Sequence, residues 1–339
     1  MKFEIPPRYI DEHLVTRKKH PVHDLWIYNY TPDVQFSRLW DEVTLACRGL
    51  ILDSENNIIA RPPAKFFNYG EPDAIIPKHP FTITEKVDGS LLILTRYKGE
   101  LIFATRGSFE SDQCLEAQKI WKEKRYYRSN WLFKEGYTYL FEIIYPENRI
   151  VVDYGNARKV IAISWCHNDV GRFHDFPKGY GFPVVKQVHF KYIDNLLFKL
   201  HDKTWYNKEG YVIRFENGTH IKAKYDEYIR LHKIVTNLSE LSVWELLCND
   251  ANSDIENIPD EFHDWFKATK EQLTLKFSDI KVEALQNYND IINLNLQTRK
   301  EIAEEVLKRN NPSLIFSLID EKNIDKAIWK MLRPINTNN

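Results

Sequence analysis

Up to about residue 224, apolar positions fall in short alternating or β-branched runs, "VTLACRGLILD", "FTITEKV", "LLILTRY", "LIFATR", "YTYLFEII" and "VIAISW", separated by Gly, Pro and Asn. A period of two predicts strands. One stretch breaks it: after Ser111, "DQCLEAQKIWKE" has helical spacing behind a capping serine. Beyond Tyr225 the apolar spacing lengthens to three and four, in "YIRLHKIV", "VWELL", "FHDWFKATKEQL", "EALQNYNDIINL", "RKEIAEEVLKR" and "NIDKAIWKML". That spacing predicts an all-helical tail. The expected fold class is α+β, an antiparallel-sheet domain over residues 1–240 followed by a helical domain over residues 241–339.

The strand pattern sorts the polar residues into faces. In "FTITEKV", Phe81, Ile83, Glu85 and Val87 lie on one face and Thr82, Thr84 and Lys86 on the other. Lys86 ends a polar row just before Asp88-Gly89, a dipeptide that signals a hairpin turn. It is either an exposed lysine flanking a bend or a group held for chemistry. Downstream, Asn217-Gly218 reads as a two-residue turn that sets Phe215 opposite His220, Ile213 opposite Lys222 and Tyr211 opposite Lys224. Glu209 would then share a face with Tyr211 and both lysines, as a solvated strand face or as a charged site. Glu142 sits in "YLFEIIYPENRIVV" with apolar neighbours on both faces. A buried carboxylate needs donors, from a salt bridge or from a ligand's hydroxyls.

Four of these stretches occur in a telling order. "KVDGS" at 86–90, "FEII" at 141–144, "EGYV" at 209–212 and "IKAK" at 221–224 resemble the ordered motifs of the covalent nucleotidyltransferases, which include RNA ligases, DNA ligases and mRNA-capping enzymes. The flanking "ACRGLIL", "AKFFNYGE", "ATRGS", "YPENRIVVDY" and "YIRLH" resemble the RNA ligase 1 family in particular, across about residues 28–235. The helical tail carries no matching motif.

The resemblance implies an ATP-dependent reaction in which Lys86 takes up AMP, passes it to an RNA 5′-phosphate, and an RNA 3′-hydroxyl then displaces it. Residues 1–240 would be the adenylyltransferase domain. By the same matching, Lys222 and Lys224 hold the α-phosphate, Glu209 organises Mg²⁺ or Mn²⁺, and Arg48, Lys65 and Arg106 grip the ATP phosphates. Glu142 becomes the ribose acceptor. Glu85, Asp88 and Gly89 belong to the nucleotide site, and Asp88-Gly89 aims Lys86. Phe67 is a nucleoside contact or core packing beside Phe66. A DNA ligase, a capping guanylyltransferase and an inactive nucleotide- or RNA-binding protein are the alternatives; the helical tail, in place of the usual β-barrel, weighs against the first two.

Charge adds a direction to this picture. The net charge is -1, yet residues 240–339 hold 18 acidic and 12 basic side chains, a net of -6, which leaves +5 for the rest. Any polyanion is expected on the first part. There, "WKEKRYYRSNW" interleaves Lys122, Lys124, Arg125 and Arg128 with aromatics, as a solvated helix end or as a single-stranded RNA contact. The partners implied are ATP and RNA with 5′-phosphate and 3′-hydroxyl ends, broken tRNA among them. No Walker loop or dinucleotide fingerprint is present, and Gly179 and Gly181 lack the third glycine. The amino terminus lacks a secretory layout and no run is long enough to span a bilayer, so the expected location is the cytoplasm, that of the host if the chain is phage-encoded. Cys47, Cys114, Cys166 and Cys248 are too scattered for a zinc module or a disulfide framework and are expected to be reduced and buried.

Overall fold

The computed structural model describes residues 1–201, 207–236, 238–248, 258 and 262–334. Among the described residues, fourteen strands run in chain order. The first four, β1 (Val15–Lys19), β2 (Leu25–Tyr30), β3 (Arg48–Asp53) and β4 (Ile58–Ala60), form one sheet in that order. Then come β5 (Phe67–Asn68), β6 (Phe81–Lys86), β7 (Ser90–Tyr97), β8 (Glu100–Ala104), β9 (Tyr137–Ile144), β10 (Lys159–His167), β11 (Phe173–Asp175), β12 (Gln187–Val188), β13 (Gly210–Phe215) and β14 (His220–Lys224). They build a second sheet, β11-β10-β9-β7-β8, and a third, β12-β6-β13-β14-β5. All pairs are antiparallel except β5 with β14.

β9 is buried along nearly its whole length because both of its faces are covered. Its odd-numbered residues, including Tyr139, Phe141 and Ile143, enter an aromatic core with Trp121, Phe133, Phe176 and Phe182. The expected helix supplies part of that core. It runs Asp112–Glu123, Ser111 caps it by accepting from the Cys114 N–H, and Cys114, Ala117, Ile120 and Trp121 form its buried face. Burying a ring the size of Trp121 contributes about 2–3 kcal/mol before entropy is counted. The even-numbered Leu140 and Glu142 face the other way, Leu140 into a core with Leu25, Ile27, Ile51 and Ile93. The third sheet buries Ile83, Tyr211, Ile213, Phe215, Ile221 and Ala223 against Leu196, Leu200 and Tyr228.

Three expectations change. "VTLACRGLILD" is not one strand: Val43–Ala46 are helical, because Asp41 and Thr44 close a capping box, and the strand starts only at Arg48. Asp88-Gly89 is not a hairpin turn either, for β6 and β7 belong to different sheets and the chain crosses between them there. The β13–β14 turn has three loop residues, not two. The Phe215 N–H donates to the Thr219 carbonyl at 2.9 Å, and Gly218 adopts φ +90°. The register accordingly moves by one, pairing Gly210 with Lys224, Val212 with Lys222 and Arg214 with His220.

Contacts divide the chain into two compact units, Met1–Val235 and Thr236–Asn339. The second is helical. Its long helix, His263–Asn293, joins the separate runs at 262–273 and 283–294, and helix Pro312–Ile319 covers "PSLIFSLI", whose continuous apolarity hides any period. Ala284 packs with Leu314, Ile324 and Ile328, and Ile291 with Val306 and Ile315. Of the acidic run at 240–266, residues 249–257 and 259–261 lie outside the described residues. No described helix is long and apolar enough to cross a membrane. All four cysteines are free; Cys248, against expectation, is exposed at the end of its helix.

Candidate active site

A cavity of about 470 Å³ opens between the second and third sheets. Strand alternation decides what lines it. Thr84 and Lys86 of β6, Val212 and Arg214 of β13, and His220, Lys222 and Lys224 of β14 project from one side. Leu140 and Glu142 of β9 and Ile163 and Ser164 of β10 face them from the other. The expected polar row of β6 is therefore the one turned to the cavity. Arg48 and Arg106 complete the lining with Phe66, and Arg106 donates to the Tyr30 hydroxyl at 3.3 Å.

Lys86, Glu209 and Lys224 form a charged centre. Glu209 Oε1 lies 2.8 Å from Lys86 Nζ and 3.4 Å from Lys224 Nζ, and Glu209 is only 3% exposed. The expected shared face with Tyr211 is not the cause, since Tyr211 and Ala223 point into the core. Glu209 lies just outside β13. Gly210 is the register partner of both Lys86 and Lys224, and its missing side chain leaves the space between them open. A Cβ at Gly210 would stand 2.2 Å from the Ala223 carbonyl oxygen.

Asp88 anchors the chain two residues beyond Lys86. Its Oδ2 accepts from the Val151 and Val152 N–H groups at 2.9 and 2.8 Å, and its Oδ1 accepts from the Tyr228 hydroxyl at 2.8 Å. These contacts tie the crossover to helix Asp226–Val235, on which Tyr228 sits. The carboxylate is buried and does not line the cavity, which corrects its expected place among the nucleotide contacts. Gly89 allows β9 to approach: a Cβ there would come within 2.4 Å of the Ile143 carbonyl oxygen.

Glu142 faces the cavity from the opposite sheet. Burial pushes its carboxyl up to about 8; Lys86 pulls it down, while Glu209 and Asp88 push it up. His220 is pushed the other way, down to about 4, chiefly by burial and against its hydrogen bond to the Gly218 carbonyl. Its ring lies 5.5 Å from Phe66.

Other expected residues stand apart from the cavity. Lys65 is buried beside it, its Nζ 5.7, 5.4 and 5.5 Å from the ring centres of Tyr30, Trp40 and Phe67. Phe67 packs against Trp40, and Phe66 rather than Phe67 lines the cavity, with Arg48 and Lys222 over its ring at 5.1 and 5.3 Å. Glu85, by contrast, is among the residues lining the cavity although it is one residue out of phase with Lys86, and its carboxylate pairs with Lys208 at 2.6 Å. Lys122, Lys124, Arg125 and Arg128 are exposed and none lines the cavity.

Phe66, Ser164, Arg214 and His220 are cavity residues that the sequence reading did not single out. A three-residue loop would have brought Arg214 onto the face of Lys222 and Lys224, because it moves the hairpin register by one, whereas His220 shares that face with the two lysines by strand alternation alone. Arg214 pairs with Asp175 through Nη2, while its buried Nε and Nη1 have no acceptor among the described residues.

For a divalent cation, Glu85 and Glu142 are the carboxylates that line the cavity, with Glu209 held against Lys86 and Lys224 at its wall, and the described residues contain no cluster of three or more His, Cys, Asp and Glu side chains that could hold a metal. One or two carboxylates completed by water and phosphate oxygens suit Mg²⁺.

A lysine in a two-sheet cleft, flanked by two further lysines and two glutamates, defines a site of the covalent nucleotidyltransferase kind. A family model for RNA ligases matches residues 46–236, more than half of the sequence, and the chain belongs to that family. Among its relatives, a candidate bifunctional polynucleotide kinase/RNA ligase of Autographa californica nuclear polyhedrosis virus is 29% identical over 66% of this chain and 35% of its own length. The RNA ligase of Rhodothermus phage RM378 is 23% identical over 85% of this chain and 80% of its own. A solved RNA ligase of Naegleria gruberi aligns over 46% of this chain and 52% of its own, at 14% identity and a TM-score of 0.38. The chain thus spans about a third of the first of these relatives and most of the second.

Proposed function

We propose that the chain is an ATP-dependent RNA ligase that works through a covalent lysyl-AMP. In the first step Lys86 Nζ attacks the α-phosphorus of ATP, forms a P–N bond and expels pyrophosphate. In the second an RNA 5′-phosphate oxygen attacks the same phosphorus, breaks the P–N bond and returns Lys86. In the third an RNA 3′-hydroxyl attacks the activated 5′-phosphate and expels AMP. The observation that carries this reading is the placement of Lys86 at the cavity wall, 2.8 Å from Glu209.

That contact also defines the chemical difficulty. At a reference pKa of about 10.4 only about one lysine in 2,500 is neutral at pH 7, a handicap of roughly 4.6 kcal/mol. Lys224 shares the Glu209 carboxylate with Lys86. A divalent cation held through Glu209 would supply positive charge that competes for the carboxylate and disfavours the ammonium form of Lys86. Lys222 and Lys224 are placed to meet the phosphate charge that develops in the transition state. Arg48 and Arg106 lie along the same wall to hold the remaining phosphates, with Lys65 behind them, and Glu142 supplies the ribose contact.

Residues 1–240 form the adenylyltransferase domain in this reading and residues 241–339 a domain that tunes the choice of RNA. Substrates with 5′-phosphate and 3′-hydroxyl ends, broken tRNA among them, and a cytoplasmic setting, that of the host if the chain is phage-encoded, are part of the same proposal. The direct test incubates the protein with Mg²⁺, ATP or GTP, and a 5′-phosphorylated RNA. Circular or joined product with ATP alone supports the proposal, and a stable adduct formed only with GTP rejects it in favour of a capping enzyme.

A further inference from the structure

The stretch "WKEKRYYRSNW" splits in the fold. Trp121 and Tyr126 are core residues, whereas Tyr127 is 49% and Trp131 71% exposed. Trp131 stands beside Tyr180, ring centres 6.2 Å apart, and Ser129 Oγ donates to the Tyr180 carbonyl at 3.0 Å, so the two segments are tied together. Tyr180 continues into a surface groove of about 230 Å³ whose other walls include Tyr137 and Trp165. His174 stacks on Trp165 at 4.8 Å and 27°. The result is a row of accessible ring faces on the side of the second sheet away from Glu142, since Tyr137 and Tyr139 alternate with the cavity-facing Leu140 and Glu142.

The charge around this row is one-sided. Lys122, Lys124, Arg125, Arg128, Lys134 and Lys178 are exposed, and within the described residues none of them forms an ion pair. The neighbouring acids are already engaged: Glu123 with Arg158, Glu135 with the Gly99 N–H, and Asp175 with Arg214. Unneutralised cations beside open ring faces match a strand that offers phosphates and unstacked bases together. A protein partner would not need this pairing of cations with rings.

We propose that this face is a platform for single-stranded RNA, on which bases stack against Trp131 and the groove aromatics while Arg125, Arg128 and Lys134 meet the phosphates. It deepens the ligase reading and rests on it for the choice of RNA over DNA. Because Tyr137 and Glu142 are five residues apart along β9 and point to opposite faces, the platform holds nucleotides remote from the reacting ends, not the ends themselves. It therefore affects capture of RNA and leaves lysine adenylylation untouched.

The test compares the full chain with Trp131→Ala, Trp131→Phe and Arg128→Glu, using a fluorescein-labelled oligouridylate in anisotropy titrations over a range of salt. Stacking of one base predicts a roughly 5- to 100-fold rise in Kd for Trp131→Ala. Trp131→Phe should recover most of that loss, and Arg128→Glu should weaken binding and flatten the salt slope. All three should form the AMP adduct at the wild-type rate and raise KM for long RNA without changing kcat. Wild-type binding and sealing by folded Trp131→Ala would overturn the proposal and leave the face to another partner. Failure of wild-type protein to take up AMP would instead reject the reading of Lys86, and the titration would still score the platform.

Discussion

Lys86 Nζ and Glu209 Oε1 lie 2.8 Å apart, and the same carboxylate oxygen lies 3.4 Å from Lys224 Nζ. One nearly buried acid thus divides its charge between the nucleophile and a lysine on the neighbouring strand. The arrangement keeps three ionic groups within reach of one phosphorus atom, and it makes Glu209 the residue whose loss should hurt chemistry most after Lys86 itself.

Glu209→Ala and Lys224→Ala should each lower AMP-adduct formation and sealing by about 100-fold or more, the scale seen when a charge-stabilising group is removed. Their midpoints of thermal unfolding should move little by comparison, because Lys224 and Lys86, the ion-pair partners of Glu209, line an open cavity that water can enter. Parallel measurement of adduct rate and melting curves checks this. A fully active Glu209→Ala would remove Glu209 from the mechanism.

Lys86→Ala should form no adduct, yet should seal RNA whose 5′ end has been adenylylated beforehand. Lys86 acts covalently only until AMP leaves the protein. Supplying the activated RNA bypasses that step, and a gel of the sealed product reads the outcome. Loss of this second activity in a folded variant would mean that Lys86 also acts in the final step.

Asp88→Ala should act through stability. It removes the acceptor of the Val151 and Val152 N–H groups, which now donate to Asp88, and the contact of the Tyr228 hydroxyl. Leaving such buried donors unpaired costs about 1–3 kcal/mol each when water cannot reach them. A substantial drop in denaturation midpoint is expected, together with slower adduct formation at unchanged ATP affinity. A variant of native stability would show that the crossover is held by other contacts.

The Glu142 carboxyl gives a pH signature. Its folded-state value of about 8 lies above the ordinary 4.5, so the folded protein binds a proton that the unfolded chain has released. Its stabilising contribution is therefore complete below about pH 4.5 and declines as pH rises through about 8. Glu142→Gln cannot ionise and should be more stable than wild type at pH 8, by about 1–3 kcal/mol, with the gap closing towards pH 5. Urea titrations at the two pH values measure it. Equal pH dependence in both proteins would place the carboxylate in a wetter setting.

Much of this site was legible because strand alternation is local. Thr84 and Lys86 on one face follow from the pattern of β6 alone, and so does the two-sided burial of β9 around Glu142. What escaped depended on longer-range geometry. The Asn217-Gly218 signal fixes a hairpin but not its loop length, and the extra loop residue, with Gly218 at φ +90°, set Val212 and Arg214 on the cavity face in place of Ile213 and Phe215. Asp88-Gly89 has the composition of a turn, yet its carboxylate joins three donors distant in sequence, which no local pattern reveals. Phe66 and Phe67 are adjacent and chemically identical, so only the pairing of β5 with β14 separates the cavity residue from its neighbour.

The central claim is that Lys86 is the nucleophile, and the most direct measurement maps AMP on the protein. The full chain is incubated with Mg²⁺ and ATP labelled at the α-phosphate, denatured without exposure to acid, digested and sequenced by mass spectrometry. The account predicts a single AMP held through a phosphoramide bond on Lys86, formed with release of pyrophosphate and discharged when RNA with a 5′-phosphate is added. Folded protein that takes up no AMP, or that carries it on Lys222, Lys224 or any other residue, would contradict it.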